Sequence, residues 1–239
     1  MTQALILVPG LMCNEAVWAP VIPFIAHAAQ CQVVDHGSAN NLPQMAEQLL
    51  RAAPDRFALA GHSMGARVAI EVYRQAPERV TRIALLDTGY MPLAEGNAGQ
   101  IEKDKRAQLL HIAQTQGVRS MASAWVQGMV HPNRLSDAAL IEAILAMFER
   151  KSEATFEAQI QALLTRPDAR PVLQSLKVPT LIACGDQDLW APLPQHQAMQ
   201  ALAPHARLTV WEAAGHMAPM ERPQAVAEAL LAWLLPSKP

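Results

Sequence analysis

The sequence contains little cysteine and little charge. Cys13, Cys31 and Cys184 are an odd number of cysteines with no motif spacing, which argues against a disulfide framework and against a zinc site. We therefore expect no metal and no organic cofactor. Charged residues make up 17% of the chain and the formal net charge is −2, so no basic footprint for nucleic acid or for an anionic membrane surface is visible. Small neutral partners are favoured.

Long apolar runs, internal repeats and low-complexity tracts are also missing. The N-terminal apolar run, residues 4–8, is too short for a signal-peptide core or a membrane span, and no basic residue precedes it. We expect a cytoplasmic protein with no membrane span. The length of 239 residues and the apolar content of 51% predict a single domain over residues 1–239, with sheets buried on both faces.

Short apolar runs alternate with helical patterns over much of the chain. We predict six strands, at residues 4–8, 32–35, 57–60, 80–86, 178–184 and 207–211. Helical patterns at residues 45–53, 193–202 and 224–234 lie between these strands or after the last of them. Asn14 is positioned to cap a short helix after the first strand. The predicted fold is α/β, a doubly wound, mostly parallel sheet of about six strands.

The alternation stops between Tyr90 and about Pro171. Four helices are predicted there, at residues 101–116, 118–129, 137–150 and 153–164, with N-caps at Ser136-Asp137 and Ser152-Glu153. The strands on either side need each other to form one sheet, so we interpret this block as an insertion. We predict a core of residues 1–90 and 171–239 and a helical cap of about residues 91–170, lying over the strand ends as a lid.

Residues 57–70 run from an apolar strand through a turn directly into a helix. Ser63 is at the turn, with Gly61 two residues before it and Gly65 two residues after it. The glycines leave room for a strained strand-to-helix corner that pushes the hydroxyl out of the sheet. This pattern is typical of a nucleophile elbow, and Ser63 is the candidate nucleophile.

Further polar residues follow later strands. Asp186 and Asp188 come after the fifth strand, and His216 comes after the sixth. Because the carboxyl ends of parallel strands meet at one edge, serine, aspartate and histidine converge there in the chain order of hydrolases built on this elbow. His216 is the candidate base, and Asp188 or Asp186 is the carboxylate that fixes its tautomer. His62 should point away from the Ser63 hydroxyl and serve packing or support.

Attack on a carbonyl also needs two backbone donors for the developing negative charge. Met64, at the start of the helix, supplies one, and Leu11 in the loop after the first strand is the best placed for the other, with Met12 as the alternative. Five apolar residues flank these positions or lie in the cap, and they are the candidate substrate-binding residues: Met12, Trp125, Met129, Trp190 and Met217. Each of them singly is equally typical of an ordinary core residue.

These motifs resemble those of the α/β-hydrolase superfamily over nearly the whole chain outside the cap. Val8-Pro9-Gly10-Leu11 is similar to the oxyanion loop, residues 61–65 to the elbow, and Gly215-His216-Met217 to the histidine loop. The resemblance implies that the acid is the fourth residue of the Gly-x-x-Asp turn, which selects Asp188 over Asp186. Two departures are visible. The first strand lacks the usual preceding hairpin, which implies a small sheet, and Pro9-Gly10 replaces the usual His-Gly.

The predicted function is that of a serine hydrolase. It would cleave a small-molecule carboxylic ester or related acyl compound with an apolar group through an acyl-enzyme intermediate. The same three residues serve carbon–carbon bond hydrolysis, lactone opening, perhydrolysis or lyase chemistry, which fold and triad do not separate. A non-catalytic ligand-binding receptor on the same fold is the alternative from another class. The sequence does not indicate an oligomeric state.

Overall fold

The computed structural model describes residues 3–235, which form an α/β structure around one parallel sheet, as the sequence predicts. The strands are β1 (Gln3–Val8), β2 (Ala29–Val33), β3 (Phe57–His62), β4 (Val80–Leu86), β5 (Thr180–Gly185) and β6 (Arg207–Trp211). The helices are α1 (Ile22–Ile25), α2 (Leu42–Ala52), α3 (Met64–Gln75), α4 (Gly96–Gln116), α5 (Val118–Trp125), α6 (Ala138–Glu149), α7 (Glu153–Leu164), α8 (Arg170–Ser175), α9 (Leu193–Leu202), α10 (Ala218–Glu221) and α11 (Pro223–Leu234). The predicted bounds of β4, β6, α7 and α9 agree with the structure.

The sheet order places β3 near the centre. The strands follow the order β2-β1-β3-β4-β5-β6, and every neighbouring pair is parallel. All six residues of β3 are buried, as expected for a strand covered by helices on both faces. Because the strands share one direction, their carboxyl ends lie at one edge of the sheet. The residues that follow β1, β3, β5 and β6 therefore meet there.

Several predicted bounds are wrong, among them those of the second strand and of α4. The second strand spans Ala29–Val33 rather than residues 32–35. It lies at the edge of the sheet and alternates polar and apolar residues, so the Val33-Val34 pair marks only its end. Helix α4 begins at Gly96 rather than at residue 101. The first turn of this helix has no large apolar residue, so the apolar pattern that predicts the helix starts only at residue 101.

Between β4 and β5 the chain is helical, and we use the name helical cap for residues 91–170. Asp137 Oδ1 accepts from the Leu140 N–H at 3.1 Å and Ser152 Oγ accepts from the Thr155 N–H at 3.1 Å, so both predicted N-caps are confirmed. Helix α5 ends at Trp125 and a short 3₁₀ turn follows, where one helix to residue 129 was expected. That the cap works as a lid stays a prediction.

Apolar packing joins the cap to the sheet region. Fully buried side chains near the sheet include Trp18 and Phe57, and those in the cap include Phe148 and Phe156, all in one cluster. Full burial of one such side chain contributes about 1.5–3 kcal/mol to stability. Among residues 3–235, no helix combines the length and the apolar character that crossing a membrane requires.

Candidate active site

Ser63 lies at the turn between β3 and α3. Its backbone angles, φ 55° and ψ −119°, are unusual for a residue other than glycine. The Ser63 N–H donates to the Leu86 carbonyl at 2.9 Å, and Thr88 Oγ1 donates to the Ser63 carbonyl at 2.9 Å. These bonds to the end of β4 hold the turn in its strained conformation.

Gly61 and Gly65 are required by close backbone contacts. A Cβ on Gly61 would collide with the backbone of Gly65 and Ala66, and a Cβ on Gly65 would collide with the Val8 carbonyl. Helix α3 therefore starts directly against the end of β1. This contact brings the loop after β1 next to Ser63.

A chain of hydrogen bonds joins Ser63, His216 and Asp188. His216 Nε2 lies 2.8 Å from Ser63 Oγ, and His216 Nδ1 lies 2.8 Å from Asp188 Oδ2. Asp186, the alternative carboxylate, is exposed, and its Oδ1 accepts from the Ala214 N–H at 3.2 Å. The structure therefore brings Asp188 rather than Asp186 to the imidazole.

The charge of Asp188 determines which nitrogen of His216 carries the proton. Burial raises the pKa of Asp188, but the attraction to His216, the hydrogen bond from its ring and two backbone N–H donors outweigh burial and lower the pKa to about 2. An ionised carboxylate only accepts hydrogen bonds, so the His216 proton is on Nδ1. The lone pair of Nε2 then faces the Ser63 hydroxyl. Such an arrangement can take the hydroxyl proton as the oxygen attacks an electrophile.

The loop that carries His216 is held by Glu221, a residue to which the sequence analysis gave no role. Glu221 Oε1 accepts from the N–H groups of Gly215 at 3.0 Å and Met217 at 3.2 Å, on either side of His216. Glu221 Oε2 accepts from the His131 N–H of the cap at 2.7 Å. Burial raises the pKa of Glu221 despite these three donors. One carboxylate therefore fixes both the histidine loop and the adjacent cap segment.

A buried histidine supports the same loop. His62 Nε2 lies 2.7 Å from the His216 carbonyl, which can only accept, so Nε2 carries the proton. Burial lowers the pKa of His62 to about 3. The ring is therefore neutral near pH 7. His62 contacts the His216 backbone rather than the Ser63 hydroxyl, in keeping with the supporting role predicted from sequence.

Asp87 and His196 are buried close to the site, and the sequence analysis gave neither of them a role. Asp87, directly after β4, accepts from the Gly185 N–H at 2.9 Å, and burial raises its pKa well above the ordinary value. His196 Nε2 accepts from the Thr88 N–H at 3.1 Å, and burial lowers its pKa to about 4. The strand-end rule that identified the other polar residues would also have identified Asp87.

The loop after β1 presents its two candidate amides differently. Leu11 lines a cavity together with Ser63 and Met64. Met12 has a positive φ of 62°, and its N–H donates to Oε1 of Gln159, a buried residue of α7 in the cap, at 2.8 Å. Because the Met12 N–H is already bonded, Leu11 stays the candidate donor beside Met64, whose amide begins α3. Sequence reasoning missed Gln159.

A cavity of about 650 Å³ lies at Ser63, between the strand ends and the cap. Four of the five predicted binding residues line it: Trp125, Met129, Trp190 and Met217. Met12 does not line it, because its side chain is fully buried in the core. The rings of Trp125 and Trp190 stack with centroids 5.2 Å apart, and the Trp190 ring lies 4.8 Å from that of His216. An aromatic pair thus extends from the cap to the histidine.

One part of the cavity wall is charged, which the sequence analysis did not predict. It contains Arg67, Glu102, Lys105 and Arg106. Arg67 follows Ser63 by four residues, and that helical spacing was the signal that would have placed it near the nucleophile. The other three lie on α4, and their position at the cavity depends on how the cap folds back.

The cysteines are buried or half-buried thiols. Cys13 lines the cavity, and burial raises its pKa to about 12. Burial also raises the pKa of Cys184 to about 12. In the part of the chain that the structure describes, no group of three or more histidine, cysteine, aspartate and glutamate side chains is placed to hold a metal ion.

Comparison with known proteins gives a family and named relatives. The alpha/beta hydrolase family model matches residues 5–229. A pimeloyl-[acyl-carrier protein] methyl ester esterase from Nitrosomonas europaea is 26% identical over 224 residues, covering 89% of this chain and 88% of that protein. The protein of the same name from Photobacterium profundum is 29% identical over 239 residues, covering 95% and 92%. The solved structure of an enol-lactonase from Burkholderia xenovorans LB400 has a TM-score of 0.85 at 18% identity, covering 98% of this chain and 92% of that one, which shows a shared fold.

Proposed function

The chain belongs to the alpha/beta hydrolase family, and on that premise we propose that it is a serine hydrolase that cleaves a carboxylic ester through an acyl-enzyme intermediate. Ser63 Oγ attacks the ester carbonyl carbon while His216 takes the hydroxyl proton. His216 then gives this proton to the leaving alcohol. A water molecule, deprotonated by His216, attacks the acyl-serine ester, which releases the acid and restores Ser63.

The observation that carries the proposal is the pair of 2.8 Å contacts from the His216 ring, one to Ser63 Oγ and one to Asp188 Oδ2. A serine hydroxyl is a weak nucleophile unless a base takes its proton during attack. The low pKa of Asp188, about 2, keeps this carboxylate charged beside the imidazolium that forms. Charge on the base is therefore stabilised at the moment when the serine attacks.

Negative charge on the attacked oxygen is stabilised by the backbone amides of Leu11 and Met64. Met64 is the first residue of α3, so its N–H has no acceptor within the helix and benefits from the helix dipole. Two preorganised donors of this kind lower the barrier most when they face the tetrahedral oxyanion rather than the ground-state carbonyl.

The substrate is a small acyl compound whose apolar part contacts the aromatic pair Trp125 and Trp190. This follows from the apolar residues beside His216 in the cavity wall. Both sequence relatives named above act, by their names, on a methyl ester. Methyl esters are therefore the first substrates to test, with thioesters and lactones beside them.

Labelling with a fluorophosphonate probe, followed by peptide mass mapping, tests the nucleophile. We expect the label on Ser63 alone. Ser63→Ala should abolish labelling and lower ester turnover by a factor on the order of 10³ to 10⁶ without lowering the Tm. Ser38→Ala, at an exposed serine, is the matched control and should behave as the wild type. Label on another residue, or near wild-type turnover in Ser63→Ala, would overturn the proposal.

A further inference from the structure

The Arg67 guanidinium lies in the wall of the cavity and has no carboxylate partner. Its Nη1 donates to the Met91 carbonyl at 3.1 Å. Within residues 3–235, no aspartate or glutamate oxygen lies within ion-pair distance of it, in contrast to Arg106 and Arg166 nearby. An arginine held in this way keeps donors and charge available for a ligand.

The neighbouring charges do not neutralise Arg67. Glu102 is already shared, since its Oε1 accepts from Arg106 at 2.9 Å and from Arg166 at 2.7 Å. Three guanidinium groups therefore face one carboxylate. Lys105 adds a further cation to the same cavity wall. The charged wall thus carries an excess of positive charge beside a largely apolar space.

The surroundings of Arg67 disfavour its charge. Burial, with a smaller contribution from the positive charge of Arg166, lowers the pKa of the Arg67 guanidinium. The group still carries its proton at neutral pH, because arginine does not lose it under such conditions. An anion that entered the cavity would therefore relieve an unfavourable interaction at the same time as it gained hydrogen bonds.

Arg67 is also close to the nucleophile and fixed in place. It follows Ser63 by one turn of α3, a rise of about 6 Å along the helix. A Cβ on Gly89 would lie 2.8 Å from Arg67 Nη2, so the guanidinium packs closely against the backbone of Gly89, where there is no side chain. A second cavity of about 470 Å³ is also lined by Arg67 and Gly89, so the guanidinium borders both spaces.

We propose that Arg67, with Arg106 and Lys105 beside it, binds a carboxylate carried by the substrate, so that the preferred esters have a free carboxylate a few carbons from the ester carbonyl. This inference rests on the proposed esterase function and specifies its substrate class. The planar guanidinium matches the two oxygens of a carboxylate, which favours a two-point contact. The apolar wall near Trp125 and Trp190 then accommodates the methylene groups between the two ends.

Matched methyl esters test the preference. Monomethyl adipate, methyl hexanoate and dimethyl adipate share a six-carbon acyl chain and differ in the group at its end. We expect wild-type kcat/KM for monomethyl adipate, or for a monomethyl ester of a four- to seven-carbon diacid, to exceed that of its neutral counterparts by roughly 10- to 100-fold. Methanol release gives the rates.

Variants assign the preference to one side chain. Arg67→Gln should remove the preference mainly through KM and leave methyl hexanoate within about threefold of wild type. Arg67→Lys should keep part of the preference, because it retains the charge but loses the planar fork. Arg51→Gln removes one positive charge at an exposed position on α2 and should change nothing. If Arg67→Gln does not fold, the wild-type comparison of monomethyl with dimethyl adipate decides alone.

The two proposals fail in different ways. Ser63-dependent hydrolysis of methyl hexanoate without any preference for the anionic series would overturn the carboxylate subsite and leave the esterase standing. A stronger preference for esters ending in a phosphate would overturn the carboxylate assignment. If no ester is hydrolysed, the esterase proposal fails. Calorimetric binding of monomethyl adipate to Ser63→Ala then tests the subsite, and binding that Arg67→Gln does not weaken overturns it.

Discussion

Gln159 Oε1 accepts a hydrogen bond of 2.8 Å from the Met12 N–H, across 147 positions of the chain. Gln159 lies on α7 in the cap, whereas Met12 lies in the loop after β1. The bond uses the Met12 N–H and leaves the preceding residue, Leu11, at the cavity wall. The cap therefore helps to set the conformation of the loop that carries one proposed oxyanion donor.

Gln159→Leu should lower kcat more than it changes KM. The substitution leaves the Met12 N–H buried without an acceptor, and the loop relaxes to find one, which displaces the Leu11 amide. We expect a loss in kcat on the order of 10- to 100-fold and a loss of stability of about 1–3 kcal/mol. Gln161→Leu, at an exposed position of the same helix, is the control. A lowered Tm with unchanged kcat would restrict Gln159 to a structural role.

Asp188→Asn should reduce ester turnover about 10⁴-fold with little change in the Tm. The asparagine side chain keeps the shape but removes the charge that stabilises the imidazolium and fixes the proton on Nδ1. Asp186→Asn, two residues earlier, should reduce turnover less than about threefold, because this exposed carboxylate contacts only the Ala214 N–H. Steady-state rates on one ester decide between them, and a larger loss in Asp186→Asn would reverse the assignment.

His196 should make the fold less stable in mild acid. Its pKa is about 4 in the folded protein and 6.5 ordinarily. Between these values the unfolded chain binds a proton that the folded chain does not, so the free energy of unfolding falls as the pH falls. The slope for this group is at most about 1.4 kcal/mol per pH unit.

Urea unfolding of His196→Gln between pH 4 and pH 6.5 measures this contribution. The variant should show a shallower dependence of unfolding free energy on pH, smaller by about one bound proton. Other buried groups, such as Asp87, remain in both proteins, so their contributions cancel in the difference. His27→Gln, at an exposed histidine, should keep the wild-type slope. Identical slopes for His196→Gln and wild type would contradict the assignment.

Trp125→Ala should raise the KM for methyl hexanoate by roughly tenfold and leave methyl acetate nearly unchanged, because only the longer chain reaches the aromatic pair. Trp125 also contacts the Phe148 and Phe156 rings, with centroids 5.6 Å away in each case. The Tm of the Trp125→Ala variant must therefore be measured too, because loss of these contacts lowers stability. Trp125→Phe keeps an aromatic surface and is the control. Wild-type activity that peaks at acetate and falls with chain length would contradict an apolar pocket.

The alternation of apolar runs and helical patterns was enough to predict the fold, and the rule that polar residues after parallel strands meet at one edge selected Ser63 and His216 as candidates. That rule left Asp186 and Asp188 both open, and the resemblance to the α/β-hydrolase superfamily selected Asp188. These residues sit in local patterns of glycines and apolar runs, which sequence alone displays. The position of the edge strand β2 was predicted wrongly for a local reason too, since two of its five residues are exposed and its apolar run is broken.

Contacts between distant segments could not be predicted in this way. The bond from Gln159 to Met12 and the shared ion pair of Glu102 with Arg166 depend on how the cap helices fold back over the sheet. A glutamine in a helix and an arginine on a helical surface are common, and neither has a local signal for its partner. The charged cavity wall follows from tertiary packing rather than from any motif.

Among the hydrogen bonds from the cap, that of Gln159 with Met12 and that of His131 with Glu221 reach the loops on either side of the nucleophile. A cap taken from a relative would have to supply both an acceptor and a donor at these points. Changes in the cap that alter substrate choice are thus constrained by the geometry of the reaction centre. The cap and the loops that it contacts should therefore evolve together. For protein engineering, grafting single helices while keeping the Gln159 side chain and the backbone position of His131 is a sounder route than exchanging the whole cap as an independent module.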